Sequence, residues 1–225
     1  MKYSSTYIIT MDGTSGSGKT TISRILAKKL NFSLLDSGKL YRSAGYLLSQ
    51  SDFSVNNIPK IMELISSINL KLNNNSEYEV YADNTKIDHL LYTEEVGKSA
   101  SKVSKIPEVR RQMLHIQHSC IQGEGLIANG RDMGTEVYPN AQLKLFISAS
   151  LEIRAQRRHK ELCDKGESVS LENILELLKK RDESDKNRAI SPLKVPDNAA
   201  ILDSSYLKPD AIVDKILNLY TISKN

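Results

Sequence analysis

Apolar positions along the chain alternate between strand-like runs and helical spacing. Thr6 to Met11 is rich in β-branched and aromatic residues, which predicts a mostly buried strand. Ile22, Ile25, Leu26, Ala27 and Leu30 then recur at helical spacing, with Lys28 and Lys29 favourably placed in the last turn. Phe32 to Leu35 is a short apolar run, a second strand ending in the polar turn Asp36-Ser37-Gly38, at the strand edge where open α/β sheets bind ligands. Leu40, Ala44, Leu47 and Leu48 predict the next helix, with Arg42 one turn in, and Ile58 to Ile68 another, capped by Asn56 or Asn57 with Pro59 in its first turn.

The texture then changes. Residues Ile68 to Leu72, Tyr78 to Ala82 and Thr85 to Ile87 carry β-formers separated by Asn73 to Ser76 and by Asp83-Asn84. Such close turns predict a small antiparallel sheet inserted between helices. Thr93 caps a helix with Glu94 and Glu95 in its first turn, and Pro107 opens another running to about Ile121. Gly125 to Ala128, Leu143 to Ile147 and Ala199 to Leu202 are further strands, and Pro209 starts a C-terminal helix with Ile212, Ile216 and Leu219 on one face. Five core strands alternating with helices predict an α/β fold, a parallel sheet covered on both sides.

A helix from about Ser170 places Leu171, Ile174, Leu175 and Leu178 on one face and Glu172, Glu176, Lys179, Lys180 and Glu183 on the opposite one. If it persists to Arg188, then Arg181, Asp185 and Arg188 fall towards the apolar side, where arginines need anionic partners and the guanidinium fork suits phosphate. Pro192 stops the segment, which predicts a helical arm that closes over a nucleotide. Arg154, Arg157 and Arg158 on the preceding helix add positive charge to it, although each alone reads as part of a surface basic cluster.

Two stretches carry candidate chemistry. Gly13-Thr14-Ser15-Gly16-Ser17-Gly18-Lys19-Thr20 fits a phosphate-binding loop: glycines turn backbone N–H groups around a phosphate, and the following helix adds its positive N-terminus. Lys19 would reach the β- and γ-phosphates and the Thr20 hydroxyl would face magnesium. Asn129-Gly130-Arg131-Asp132-Met133-Gly134 sets an arginine and a carboxylate among glycines at a strand end, where the backbone can approach a ligand closely.

The 225 residues, 40% of them hydrophobic, suffice for one well-buried domain. Thirty-one Lys plus Arg against 27 Asp plus Glu leave a charge of +4, too mild to indicate nucleic acid but compatible with an anionic small molecule. Cys120 and Cys163 lack metal-ligand company and suit reduced thiols. No apolar run approaches a membrane span and no leader-like N-terminus is present, so a cytoplasmic protein is expected.

In order and spacing, the glycine loop, Asp36-Ser37-Gly38 with Tyr41-Arg42, Gly130 to Thr135, and Arg181 through Asn187-Arg188 resemble a bacterial-type cytidylate kinase. That family belongs to the nucleoside monophosphate kinase branch of phosphate-binding-loop proteins. The antiparallel insert resembles the enlarged monophosphate-binding region of the bacterial type. The resemblance implies a three-layer fold and phosphoryl transfer from ATP, with magnesium, to CMP or dCMP, giving CDP or dCDP and ADP. It implies one domain made of a core (1–36, 106–150 and 192–225), a monophosphate-binding region (37–105) and a helical lid (151–191). Insert and arm are expected to close over both substrates.

By position, Gly13, Thr14, Ser15, Gly16, Ser17, Gly18, Lys19, Thr20, Thr21 and Arg157 would bind ATP. Ser37, Arg42, Ser101, Arg110, Arg131, Asp132, Arg181, Asp185 and Arg188 would bind CMP. Lys19, Arg131, Asp132, Arg181 and Arg188 would serve catalysis, and Thr20 would hold the metal. Asp132 is expected to orient the arginines and substrate. Three positions depart from the family pattern. Thr14 replaces its usual proline, and Thr20 replaces a glycine and supplies the hydroxyl of the generic motif. Asn129 replaces a common aspartate and brings no negative charge for a hydrated magnesium, which leaves Asp12 or Asp132 as carboxylates. A same-fold kinase with another acceptor, such as UMP, another nucleoside monophosphate or a metabolic alcohol, is the nearest rival. A nucleotide switch or nucleic-acid ATPase fits less well, because a guanine-reading Asn-Lys-x-Asp and a concentrated basic patch are both missing. A monomer without nucleic-acid or membrane partners is expected.

Overall fold

Strand and helix periods in the sequence translate into eight strands and eight α-helices in the computed structural model, which describes residues 6–52, 54, 56–164 and 166–224. The start of the expected core, residues 1–5, lies outside these. In order they are β1 (Tyr7–Gly13), α1 (Lys19–Leu30), β2 (Ser33–Asp36), α2 (Ser37–Ser49), α3 (Ile58–Ser66), β3 (Ile68–Leu72), β4 (Tyr78–Ala82) and β5 (Thr85–Lys86). There follow α4 (Glu94–Val103), α5 (Pro107–His118), β6 (Gly125–Asn129), β7 (Leu143–Ser148), α6 (Leu151–Asp164), α7 (Leu171–Lys186), β8 (Ala200–Asp203) and α8 (Pro209–Lys224). Five strands form one parallel sheet in the order β2-β6-β1-β7-β8, and β3-β4-β5 form the separate antiparallel sheet that the Asn-rich turns predict.

The chain divides into two compact units, Met1–Tyr7 with Asn31–Ala128, and Ile8–Leu30 with Asn129–Asn225. In the first, Leu40, Ala44, Ile61, Ile65, Val80, Leu91, Val103 and Met113 belong to one buried cluster. Gly45 lets α2 approach α4: a Cβ there would meet the Ala100 backbone nitrogen at 2.5 Å. Helix α2 is tied to the antiparallel insert by Asp88, just past β5: Lys39 Nζ pairs with it at 3.0 Å, and its other oxygen accepts from the Val80 N–H of β4. That half-buried carboxylate is thereby satisfied at both oxygens.

In the second unit β1 and β7 run parallel with Gly13 opposite Ile147. Gly13 has φ +142°, and a Cβ would lie 2.0 Å from the Ile147 carbonyl oxygen, so only glycine lets the strand end here and turn into the loop. Helices α6 and α7 pack on each other through Ala155, Leu162, Ile174 and Leu178.

Several boundaries differ from the pattern in the sequence. Asp36-Ser37-Gly38 is not a free turn: Ser37 already opens α2, and the Asp36 carboxylate caps it by accepting from the Gly38 N–H. The α3 helix ends at Ser66, because Ile68 pairs with Ala82 in the antiparallel sheet. The α5 helix stops at His118 rather than near Ile121. Helix α7 stops at Lys186, with Asn187 as its C-cap, so Arg188 lies beyond the helix and not on its wheel.

Candidate active site

The second unit holds the glycine loop between β1 and α1. Gly16 (φ +76°) and Gly18 (φ +84°) occupy the left-handed region, the backbone freedom a phosphate cradle requires. Lys19 is buried at the start of α1, and its Nζ donates to the Thr14 carbonyl (2.6 Å) and to Ser17 Oγ (3.2 Å). The ammonium is thus stored inside the loop, donating to oxygens that phosphate oxygens can replace. Ser17 is fully buried and its carbonyl accepts from Ser204 Oγ at 2.8 Å, which ties the loop to the segment after β8. Thr14 and Ser15 are half-buried and Thr21 is exposed.

Thr20 Oγ1 accepts from the Asn129 amide at 3.2 Å, while Asn129 Oδ1 is buried with no hydrogen-bond partner. A hydroxyl beside an orphaned amide oxygen is a donor set suited to a hard, oxygen-seeking, largely hydrated cation, so the residues present fit magnesium. Among the described residues no group of three or more His, Cys, Asp or Glu side chains forms a metal cage.

Asp12, the residue before Gly13, is committed elsewhere. It is fully buried, and its two oxygens accept from the backbone N–H groups of Met133 and Gly134, each at 2.8 Å. Burial pushes its carboxyl up to about 6, opposed by these two N–H bonds, raised further by the Asp132 charge and opposed by Lys19. As a substitute magnesium carboxylate Asp12 is therefore poorly placed. Asp132 is also buried.

Arg131 is half-buried, and its Nε donates to Asp185 Oδ2 of α7 at 3.0 Å while Nη1 takes the Gly130 carbonyl at 3.1 Å. The structure thus brings together two predicted residues far apart in sequence. It does not turn Arg181 inward: that residue is exposed. Asp182, one turn after Leu178 and nearer the middle of the apolar stripe, takes the inward place instead. Arg188, past the helix end, donates to the Ser191 carbonyl at 2.7 Å, and its Nε is buried without a partner.

Asp182 accepts both guanidinium nitrogens of Arg154, at 3.2 and 2.7 Å. Arg154 is only 4% exposed and also donates to the carbonyls of Ala149 and Ser15, so it braces the phosphate loop from beneath. Its surface reading is thereby overturned. The signal was present, since Arg154 lies one turn from Leu151 on the apolar face of α6. Arg157 donates to the carbonyls of Ser204 and Ser205 and lies near Gly18 of the loop. Ser204 and Ser205 carry no sequence signal beyond small polar residues after a strand.

In the first unit, Ser37 is buried at the start of α2 and Ser101 is exposed on α4. Arg42 donates to the Leu91 carbonyl at 3.0 Å and its guanidinium lies over the Tyr92 ring, 5.6 Å from the centroid. Arg110 stands in the same relation to Tyr41, also at 5.6 Å. Both arginines are half-buried, with their charge over an aromatic face.

A family model described as Cytidylate kinase matches residues 9–222. The chain is 41% identical over 211 residues to the cytidylate kinase of Marinomonas sp. (strain MWYL1), covering 93% of each. It is 42% identical over 211 residues to cytidylate kinase 1 of Haemophilus influenzae, covering 93% of this chain and 91% of the relative. A crystal structure of an uncharacterized protein from Eubacterium ventriosum ATCC 27560 has the same fold, with a TM-score of 0.54 at 13% identity over 95% of this chain and 97% of that one. With the phosphate loop, the Arg131 loop and the whole span between them matched to one family, the chain belongs to the cytidylate kinases.

Proposed function

We propose that the protein transfers the γ-phosphoryl group of ATP to CMP or dCMP, giving ADP and CDP or dCDP. Family membership over nearly the whole chain supports the acceptor, and the buried Lys19 inside a glycine loop is the observation that carries the donor. A phosphate oxygen of CMP bonds to the γ-phosphorus while the bond to the β,γ-bridging oxygen breaks, and that oxygen leaves on ADP. No proton need be removed from a phosphate dianion, so no general base is required.

Catalysis then consists of placement and charge neutralisation. Gly13, Thr14, Ser15, Gly16, Ser17, Gly18, Thr20, Thr21 and Arg157 hold ATP, and Lys19 exchanges its loop oxygens for phosphate oxygens. Arg131 and Arg188 face the transferred group, and Asp132 orients them; Arg181, exposed on the arm, reaches that group when the arm closes over the substrates. Ser37, Arg42, Ser101, Arg110, Arg131, Asp132, Arg181, Asp185 and Arg188 make up the CMP contacts. Thr20, with Asn129 Oδ1 beside it, would hold magnesium, which would supply positive charge to offset that of the phosphates. The protein acts as a cytoplasmic monomer; no helix among the described residues is long and apolar enough to cross a membrane.

Phosphorus NMR of a mixture of ATP, CMP, magnesium and protein tests this reading. Equal growth of CDP and ADP signals is expected. ADP appearing with free phosphate, and no CDP, would overturn it.

A further inference from the structure

Asp12 is the least expected group in the second unit. A fully buried carboxylate beside a phosphate-binding loop is costly, because it adds negative charge where negative ligands are to bind. Its oxygens are each spent on one backbone N–H, Met133 and Gly134, so neither is aimed outward as a lone ligand. The neighbouring backbone bond runs in the same place: the Gly130 N–H donates to the Met11 carbonyl at 3.0 Å. Three hydrogen bonds therefore fix residues 130–134 to the last residues of β1, and between the anchored ends stand Arg131 and Asp132.

The surroundings leave this segment no other way to sit. A Cβ on Gly134 would meet Thr10 Oγ1 at 2.8 Å and Pro196 at 2.9 Å, and one on Gly130 would meet the Met133 side chain at 2.8 Å. Met133 itself is fully buried. The backbone from Met133 to Val137 makes one wide helical turn, and the Asp12 carboxylate sits at its N-terminal N–H groups, which favours negative charge. The charged groups facing Asp12 are Asp132 and Lys19.

We propose that Asp12 is a positioning residue for phosphoryl transfer, which sets Arg131 relative to the phosphate loop by holding the Met133 and Gly134 backbone. This rests on the kinase reading above. Arg131 in turn holds Asp185 of α7, so the clamp extends from β1 to the arm. An amide at position 12 keeps one acceptor oxygen but sets an NH2 group against the second backbone N–H, which breaks half of the clamp with little change of volume.

Two measurements on Asp12→Asn decide the matter. Amide hydrogen exchange at Met133 and Gly134 is expected to quicken by about tenfold, with the β7 amides unchanged. The turnover number with CMP is expected to fall by about 100-fold while the dissociation constant for ATP stays within about twofold. In an Arg131→Ala background the same change is expected to cost no more than about threefold, because the group it acts through is gone. Unchanged exchange at both amides, a full additive loss without Arg131, or ATP affinity falling in step with turnover would each overturn the proposal. Exchange does not require turnover, so a protein that phosphorylates no CMP refutes the kinase reading separately. Should Asp12→Asn not fold, the wild-type protein decides by NMR: the two amide protons shift with the same midpoint as the Asp12 carboxyl carbon, and independent midpoints refute the clamp.

Discussion

At Asp12 the same burial that fixes a loop also writes a pH dependence into the fold. Its carboxyl is raised from the ordinary 3.8 to about 6, so the folded protein holds this proton more tightly than the unfolded chain does. Stability from the group is full below pH 4 and is lost as pH rises through 6, amounting to about 3 kcal/mol. Denaturant titrations of wild type and Asp12→Asn between pH 4 and 7 check this: wild type should lose ground steadily against the variant, and a constant difference would contradict it. Asn129 is the second informative residue. Its orphaned Oδ1 lacks charge, so Asn129→Asp is expected to lower the half-saturating magnesium concentration severalfold, read from activity at fixed ATP. An unchanged or higher requirement would remove position 129 from the metal's surroundings.

Among the elements, the turn from β1 into α1 and the α6–α7 pair carry the strongest constraints. Gly13→Ala would drive a methyl group into the Ile147 carbonyl at a φ that favours glycine, so a marked drop in melting temperature together with weaker ATP binding is expected. In the helical pair, Asp182→Ala strands the buried Arg154 guanidinium and should cost about 3 kcal/mol in chemical denaturation. The exposed Lys60–Glu63 pair offers the contrast: Lys60→Ala should change stability by less than about 1 kcal/mol.

Elements were legible in the sequence wherever period and punctuation agreed. Thr93 caps its helix as its side chain predicts, Asn57 rather than Asn56 caps α3, and Ser170, where a helix is expected to begin, caps α7. Legibility failed where tertiary pairing competes with a local pattern, as at Ile68, which helical spacing and sheet pairing both claim. It failed again at Arg181 and Asp182, because a wheel gives direction to within a residue, and which neighbour turns inward depended on the unforeseen Arg154. The phosphate loop needed no tertiary knowledge, since its constraint is backbone conformation. Asp12 is singled out in the sequence only as a carboxylate near the metal; its hold on the 133–134 backbone, like the place of Ser204, is not legible there, because the partners lie far along the chain.

For the whole molecule, the identity of the acceptor is a property that no single element determines. The glycine loop carries the motif of the donor side, and the residues proposed to choose the acceptor are spread along the chain from Ser37 to Arg188. The most direct measurement is the specificity constant for ATP-dependent phosphorylation of CMP, dCMP, UMP, AMP and GMP side by side. CMP and dCMP are expected to exceed the purine monophosphates by about 1000-fold or more, because polar groups built for one base are left unpaired by another. Equal specificity constants across the five acceptors, or a preference for AMP or GMP, would contradict the account.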